Sequence, residues 1–410
     1  MLSIRLEFSP ASDAEFFAAL PASPAVFLLR GDDANSEPYI TKTASLRRRL
    51  LRLLGPADSA SKRLNLRERV RNIEYSPTAS DFESGFLLYK VLRETFPQSY
   101  ADRLRLRPAP LIKLILDNAY PRVTVTSRIS SIRAGNAYFG PFPTRTAAEK
   151  FANDALDFFG MRRCTDDLAP DPTFPGCVYS EMKMCLAPCF KGCSDERYAE
   201  EVARVRAFLE SGGRTLTHEL SAERDRASES LDFENAAALH SKIEKLRGVC
   251  QQLPEIVRAI DRLDGVLIQP SSETDCVRLF KIVAGRIADP VDLKLGARQA
   301  LAENVAPQPG RSRIPQSMES RIAEALASAP APLAQSAQEW MEHLAMLKRW
   351  YYRTSKVGEI FLADEKGDLP MRRVVRGVSR VFKGEKPQAD LSESARDYWI
   401  NRGREAQLDS

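Results

Sequence analysis

The sequence lacks a long apolar run. No stretch of its 410 residues approaches the ~20 consecutive apolar positions that a bilayer-spanning helix needs, so a helical membrane protein is excluded. Histidine is scarce. His218, His240 and His343 are scattered along helix-like segments without ligand spacing, which leaves them ordinary surface or packed roles. No internal repeat occurs, and 20 glycines without a period exclude a collagen-like chain. The opening residues, Met1-Leu-Ser-Ile-Arg-Leu-Glu, hold no basic segment followed by an apolar one, so the expected location is cytoplasmic. What remains is ordinary for a globular chain of two to four domains: 43% hydrophobic and 28% charged residues.

Charge and cysteine are unevenly spread. The net charge is only +5, yet between Lys42 and Asn72 ten basic residues face Asp58 and Glu68 alone. Leu46, Leu50 and Leu53 recur there at helical spacing among Arg47, Arg48, Arg49 and Arg52, which predicts an amphipathic helix with one cationic face. Such a face either grips phosphate backbones without reading sequence or is merely solvated. A second basic patch at 372–386 alternates with valines and reads as a strand. Of seven cysteines, Cys164, Cys177, Cys185, Cys189 and Cys193 lie within 30 residues. In a cytoplasmic chain such a cluster suggests a metal site rather than disulfides. Four thiolates complete either a tetrahedral zinc site or a cubane iron–sulfur cluster. The spacings x12, x7 and x3 include no Cys-x2-Cys pair of the sort usual for structural zinc. The plainer alternative is that these thiols, like Cys250 and Cys276, simply pack.

Along the chain, Ala25–Leu29 and Pro38–Ile40 read as strands around a polar loop, ahead of the basic helix. A helix is expected from Phe82 to Phe96, stopped by Pro97. Strands follow at 111–116, 123–126 and 137–143, and a helix from Thr146 to Phe159 leads into the cysteines. Segment 195–248 is helical, broken at Gly212-Gly213 and at Leu231-Asp-Phe-Glu, with Asp232 as an N-cap. Strands return over 265–295. A Pro-, Ala- and Ser-rich linker with one short helix follows, then a helix whose face Trp340, Leu344, Leu347 and Tyr351 marks as core.

Three segments, in order, resemble the UvrC excinuclease family of bacterial nucleotide excision repair. Pro24-Ala-Val-Phe27, Tyr39-Ile-Thr-Lys42 and Leu46-Arg-Arg-Arg49-Leu50 are similar to its GIY-YIG nuclease signature. Tyr138-Phe-Gly-Pro-Phe-Pro and then Cys164, Cys177 and Cys185-Leu-Ala-Pro-Cys189 resemble its cysteine region. Ala227-Ser-Glu-Ser-Leu-Asp-Phe-Glu-Asn-Ala-Ala resembles the UVR motif, a helical hairpin that pairs with the helicase UvrB. The resemblance implies a multidomain α+β chain. A small mixed α/β GIY-YIG-like domain would occupy 1–105, a Cys-rich metal- or cluster-binding region 106–195 and a UVR hairpin 196–252. Partial RNase H-like strands would lie at 253–303; beyond the resemblance, a linker is expected at 304–337 and a helical, basic C-terminal region without an assigned role at 338–410.

It also implies site residues. Tyr39, Lys42 and Arg49 match the nuclease tyrosine, lysine and arginine, which in that family work with Mg2+ or Mn2+ held by a glutamate. The match is incomplete: Phe27 replaces one tyrosine, Thr41 a glycine and Leu53 another tyrosine, and the metal glutamate falls on Leu88. Leucine offers no oxygen to a hard cation. Asp81, Glu83 or Glu94 could serve only by a shift of helical register. The expected site is therefore vestigial, with Arg47, Arg48 and Arg52 still gripping DNA. The resemblance implies a 4Fe–4S cluster on Cys164, Cys177, Cys185 and Cys189, with zinc the alternative and Cys193 spare. UvrB would dock on 216–248 with Phe233 as anchor. No Asp-Ile-Ser-His-type motif of the second nuclease follows 265–295, and Asp261 and Asp264 read as a solvated helix end. The expected function is excision repair by binding DNA and UvrB with weakened or lost incision. The alternatives are an active incision endonuclease and a UVR/Cys-site adaptor in stress regulation.

Overall fold

A computed structural model describes residues 2–11, 14–33, 36–56, 64–130, 135–295, 316–332 and 336–385. The chain is mixed α and β throughout, in three sheets with helices packed on them. Among the described residues no helix is long and apolar enough to cross a membrane.

The first sheet holds β1 (Ile4–Glu7), β2 (Ala25–Arg30), β3 (Tyr39–Thr43) and β4 (Asn72–Pro77) in the antiparallel order β1-β4-β2-β3. Helix α1 (Ala14–Ala19) and the basic helix α2 (Leu46–Leu54) cover one face. Leu46, Leu50, Leu53 and Leu54 of α2 are buried against Phe27, Leu29 and Ile73. The other face meets α3 (Asp81–Thr95), whose start is fixed by Ser80: its hydroxyl accepts the Glu83 backbone N–H at 3.1 Å. Helix α4 (Tyr100–Leu104) follows.

The second sheet joins β5 (Leu111–Ile115), β6 (Arg122–Thr126) and β7 (Ala137–Gly140), all antiparallel, to the short β8 (Arg258–Ala259). Between β7 and β8 come α5 (Arg145–Leu156), the cysteine loop with the single turn α6 (Val178–Glu181), and α7 (Asp195–Ser211), α8 (Arg214–Glu229) and α9 (Phe233–Cys250). Gly212 and Gly213 join α7 to α8 with φ of 60° and 93°. The space beside Gly213 is filled by the Cys250 sulfur, so a side chain there would collide with it.

The third sheet orders β11 (Arg286–Ile287), β10 (Cys276–Val283), β9 (Gly265–Pro270) and β13 (Glu359–Leu362), with β12 (Val291–Lys294) also on β10. Helices α10 (Met318–Ser328), α11 (Ala337–Tyr351) and α12 (Met371–Lys383) pack around it. Strand β13 comes from the C-terminal region that the sequence set apart from 253–303, yet it pairs with β9 along Gly265–Ile268. The basic segment expected as a strand is instead helix α12. Its buried Val374, Val378 and Val381 recur at four and three, a helical period, and Arg372, Arg376 and Lys383 point outward. Lys386, like Lys62, Arg63 and residues 304–315 of the expected linker, lies outside the described residues.

One core binds the parts together. Phe82, Phe86, Tyr89 and Leu92 of α3 pack with Leu111, Tyr138, Leu267 and Phe280, and with Trp340, Leu344, Leu347 and Trp350 of α11. Helix α3 is thus covered by the C-terminal region. The Tyr89 and Tyr100 hydroxyls both donate to the buried Glu342 carboxylate, at 3.0 Å each, and the Lys90 ammonium meets Asp289 at 2.7 Å.

Candidate functional sites

Strand β3 pairs without a break, Tyr39 opposite Leu29, Thr41 opposite Phe27 and Lys42 opposite Val26. Side chains alternate along it, so Tyr39 and Lys42, three apart, leave opposite faces. Tyr39 packs into the core shared with α2, its ring 6.1 Å from that of Phe27, and its hydroxyl accepts a 2.7 Å bond from Arg49. Lys42 turns toward α3 and pairs with Asp81 at 2.6 Å. The three residues matched to the nuclease site therefore divide into two pairs.

Lys42 and Asp81 open onto a cleft of about 730 Å³, its mouth included, formed between α3, α4 and α11. Neither Tyr39 nor Arg49 lines it. Leu88 does, alongside Phe82, Leu104, Met346 and Trp350. Asp81 also bonds Arg353 from beyond α11. Burial pushes its carboxyl up, but Lys42 and Arg353 together outweigh this and hold it below the ordinary aspartate value. Glu83 is buried and spent elsewhere. It accepts the Ala79 N–H at 2.8 Å and pairs with Arg278, and burial, which these contacts only partly offset, raises its carboxyl. Glu94 does not line this cleft. Asp264 accepts the Ala284 N–H at 2.7 Å and pins a hairpin loop, a structural task.

On α2, Arg47 spends its Nε on the Leu20 carbonyl at 2.7 Å, and Arg49 is engaged with Tyr39. Arg48 and Arg52 lie one turn apart on the exposed face, with no carboxylate partner among the described residues.

The cysteine segment behaves differently. Cys164, Cys177, Cys185 and Cys189 all line one hollow of about 250 Å³, part of it open to solvent; Cys193 does not line it. The backbone is bent hard around them. Lys183, Ala187 and Lys191 are non-glycine residues at φ of 57°, 57° and 58°, a conformation that costs energy and survives only where surroundings impose it. The Ala187 N–H points at the Cys185 sulfur, 3.3 Å away. Burial, with the other three thiols nearby, pushes the Cys185 thiol up to about 11; burial also raises Cys189 and Cys193. Among the described residues no three His, Cys, Asp or Glu side chains close on a point as a single ion requires. A tetrahedral Zn–S bond of ≈ 2.3 Å would bring the sulfurs within about 3.8 Å of each other.

Arg162, which the sequence did not single out, is only 1% exposed beside this hollow. Its guanidinium donates to the Tyr120 and Asp166 carbonyls and to the Cys164 sulfur at 3.4 Å, while one terminal nitrogen has no partner among the described residues. A buried cation among thiols is a fitting neighbour for an anionic group. The available signal was Arg162-Arg163 directly before Cys164.

In the hairpin, Leu216, Leu220, Ile243 and Leu246 pack into the core of the second sheet, whereas the turn is bare. Leu231 (φ 61°) is 73% exposed and Phe233 64%. Asp232 caps α9, accepting the Asn235 N–H at 3.3 Å.

Comparison with known proteins gives these features a family. Residues 109–208 match the family described as UvrC/Cho excinuclease, middle domain, and residues 214–249 match the UvrB/uvrC motif. The middle of the chain is UvrC-family sequence. Among curated relatives, the UvrABC system protein C of Ectopseudomonas mendocina is 29% identical over 272 residues, 66% of this chain and 44% of the relative. That of Pseudomonas putida strain F1 is 28% identical over 293 residues, 71% and 47% respectively. That of Pseudomonas aeruginosa strain LESB58 is 31% identical over 274 residues, 66% and 44%. The chain thus spans less than half the length of these UvrC relatives. No solved structure matches it.

Proposed function

We propose that this chain is a UvrC-like excision-repair protein that binds DNA and the helicase UvrB without cutting a strand through its GIY-YIG-like lobe. The observation that carries the reading is Leu88 in the cleft, at the position aligned with the metal glutamate. Hydrolysis of a phosphodiester needs the group that activates water, the carboxylate that holds the metal and the cation that stabilises the phosphate around one phosphorus. Here Tyr39 and Arg49 hold each other on one face of β3. Lys42 is drawn to Asp81 on the other, and the position aligned with the metal glutamate is Leu88, in a cleft covered by α11. One carboxylate neutralised by Lys42 and Arg353 is a poor ligand for Mg2+ or Mn2+.

The binding functions keep their surfaces. Arg48 and Arg52 offer phosphate contacts whose strength falls with salt. The exposed Phe233 and Leu231 at the hairpin turn suit a partner helix pair, with Phe233 the anchor.

For the cysteines the reading is a 4Fe–4S cluster on Cys164, Cys177, Cys185 and Cys189, with zinc the alternative. The donors are soft thiols around one hollow, and the Arg162 guanidinium beside Cys164 offsets the negative charge of thiolates. When bound, the cluster supplies structural cross-linking and one-electron redox chemistry.

The deciding experiment incubates the purified protein with supercoiled and lesion-bearing DNA and Mg2+ or Mn2+. No nicking is expected above background. Strand cleavage that disappears in Tyr39→Phe would overturn the proposal and favour the active-endonuclease alternative.

A further inference from the structure

We infer that the cleft between α3, α4 and α11 is a nucleotide-binding pocket: a nucleobase on its apolar floor and a phosphate on its cationic rim. The cleft includes Lys42 and Leu88, which the excision-repair reading treats as non-cleaving nuclease positions; the inference rests on that reading and adds a binding role to the same cleft. Phe82, Leu88, Leu104, Met346 and Trp350 line an apolar floor, a surface for a flat aromatic ring. The rim carries Lys42, Arg103, Arg349 and Arg353, against the single carboxylate of Asp81. Two of these cations, Lys42 and Arg353, are shared with Asp81, and Arg103 reaches Glu37 at 2.9 Å. Arg349 is exposed, with no carboxylate bonded to it among the described residues, and is free to take a phosphate. An apolar slot with an excess of positive charge at its mouth has the chemistry that holds nucleotides in single strands: stacking below, phosphate above.

A second observation comes from α3 itself. Gly85 sits in the middle of that helix, where glycine weakens it relative to alanine. Its backbone does not require glycine, and a Cβ there would meet nothing closer than the Lys42 ammonium, 4.0 Å away. Packing therefore does not demand a glycine at this point. What its missing side chain does is leave the cleft open.

The ligand is either a free nucleotide or a nucleotide within a single strand; both present the same base and phosphate. The test is fluorescence anisotropy of etheno-dAMP with the full chain, competed by dAMP, inorganic phosphate and a short oligodeoxynucleotide. Binding is expected, with dAMP displacing the probe at least tenfold better than phosphate. Gly85→Leu is expected to melt no lower than the parent and to weaken probe binding at least tenfold. Arg349→Ala, on an exposed side chain, is expected to weaken it about fivefold, and it keeps the test alive should Gly85→Leu fold poorly. Displacement by the oligodeoxynucleotide that Gly85→Leu abolishes identifies the strand as the source; displacement by mononucleotides alone identifies the free nucleotide. No binding to the parent protein at millimolar probe, or binding unaffected by both substitutions, overturns the inference. Either failure leaves DNA and UvrB binding through α2 and the hairpin untouched.

Discussion

The cysteine loop and the β3–α3 lobe each carry side chains that a family signature would bring to one point. In the loop, four thiols from one short segment face a common hollow, with Arg162 buried at its wall. In the lobe, Tyr39 and Arg49 close on each other while Lys42 is captured by Asp81 and Arg353. The difference lies in what builds each site. The loop leaves Phe174, Val178 and Met182 exposed rather than packed and holds three left-handed non-glycine residues, a shape that the proposed ligation would hold in place. The lobe is held by ordinary cores on both faces of its sheet, and its fold survives whether or not any catalytic group is in place.

The largest expected effect breaks the comparison on the cysteine side. Cys185→Ser combined with Cys189→Ser is expected to abolish bound iron or zinc, measured by metal analysis, and to open residues 160–193 to protease. Unchanged metal content would reduce the loop to packing. Next comes the seal over α3. His343 is buried, accepting the Ile287 N–H at 2.9 Å, and burial, with Arg93 and Arg286 nearby, lowers its pKa to about 4. The unfolded chain, with a value near 6.5, binds the proton more readily, so the stabilisation is whole above about pH 6.5 and is lost as pH falls toward 4. Its size is ~3 kcal/mol, readable by urea unfolding at pH 7 and pH 4.5. A His343→Asn variant should lose that slope, and a flat parent profile would mean that α11 does not cover α3 as described.

Leu88→Glu restores the missing carboxylate on paper. Facing an apolar floor, it is expected to destabilise the protein by about 2 kcal/mol and to gain no Mg2+-dependent nicking. Cleavage by this variant would show that the lobe needed only its metal ligand, and the contrast with the cysteine loop would shrink to one residue. The smallest effect concerns the hairpin. Phe233→Ala is expected to weaken UvrB binding about tenfold, or ~1.4 kcal/mol, with no loss of thermal stability because the side chain is exposed. A pull-down showing equal binding would move the contact elsewhere.

The expected elements of the first 295 residues were largely legible because their signals are local. Leu46, Leu50 and Leu53 mark the buried stripe of α2, Ser80 and Asp232 the caps of α3 and α9, and Gly212-Gly213 the break between α7 and α8. Residues 372–383 misled because a valine–arginine alternation over a few positions satisfies a period of two, while the spacing of Val374, Val378 and Val381 satisfies a helix. Arg162 escaped notice because nothing local says that an arginine will be buried.

By itself the sequence determined the cysteine set, the hairpin with Phe233 at its turn, the cationic face of α2 and the leucine at 88, where the resemblance expects a carboxylate. Each depends on residue type and short spacing. Only the tertiary structure decided that Lys42 leaves Tyr39 for Asp81, that α11 covers α3, and that a cleft with an apolar floor and a cationic rim stands there. Those outcomes rest on contacts between residues far apart in the chain, 39 positions for Lys42 with Asp81 and more than two hundred for Asp81 with Arg353 and Tyr89 with Glu342, which no local pattern encodes.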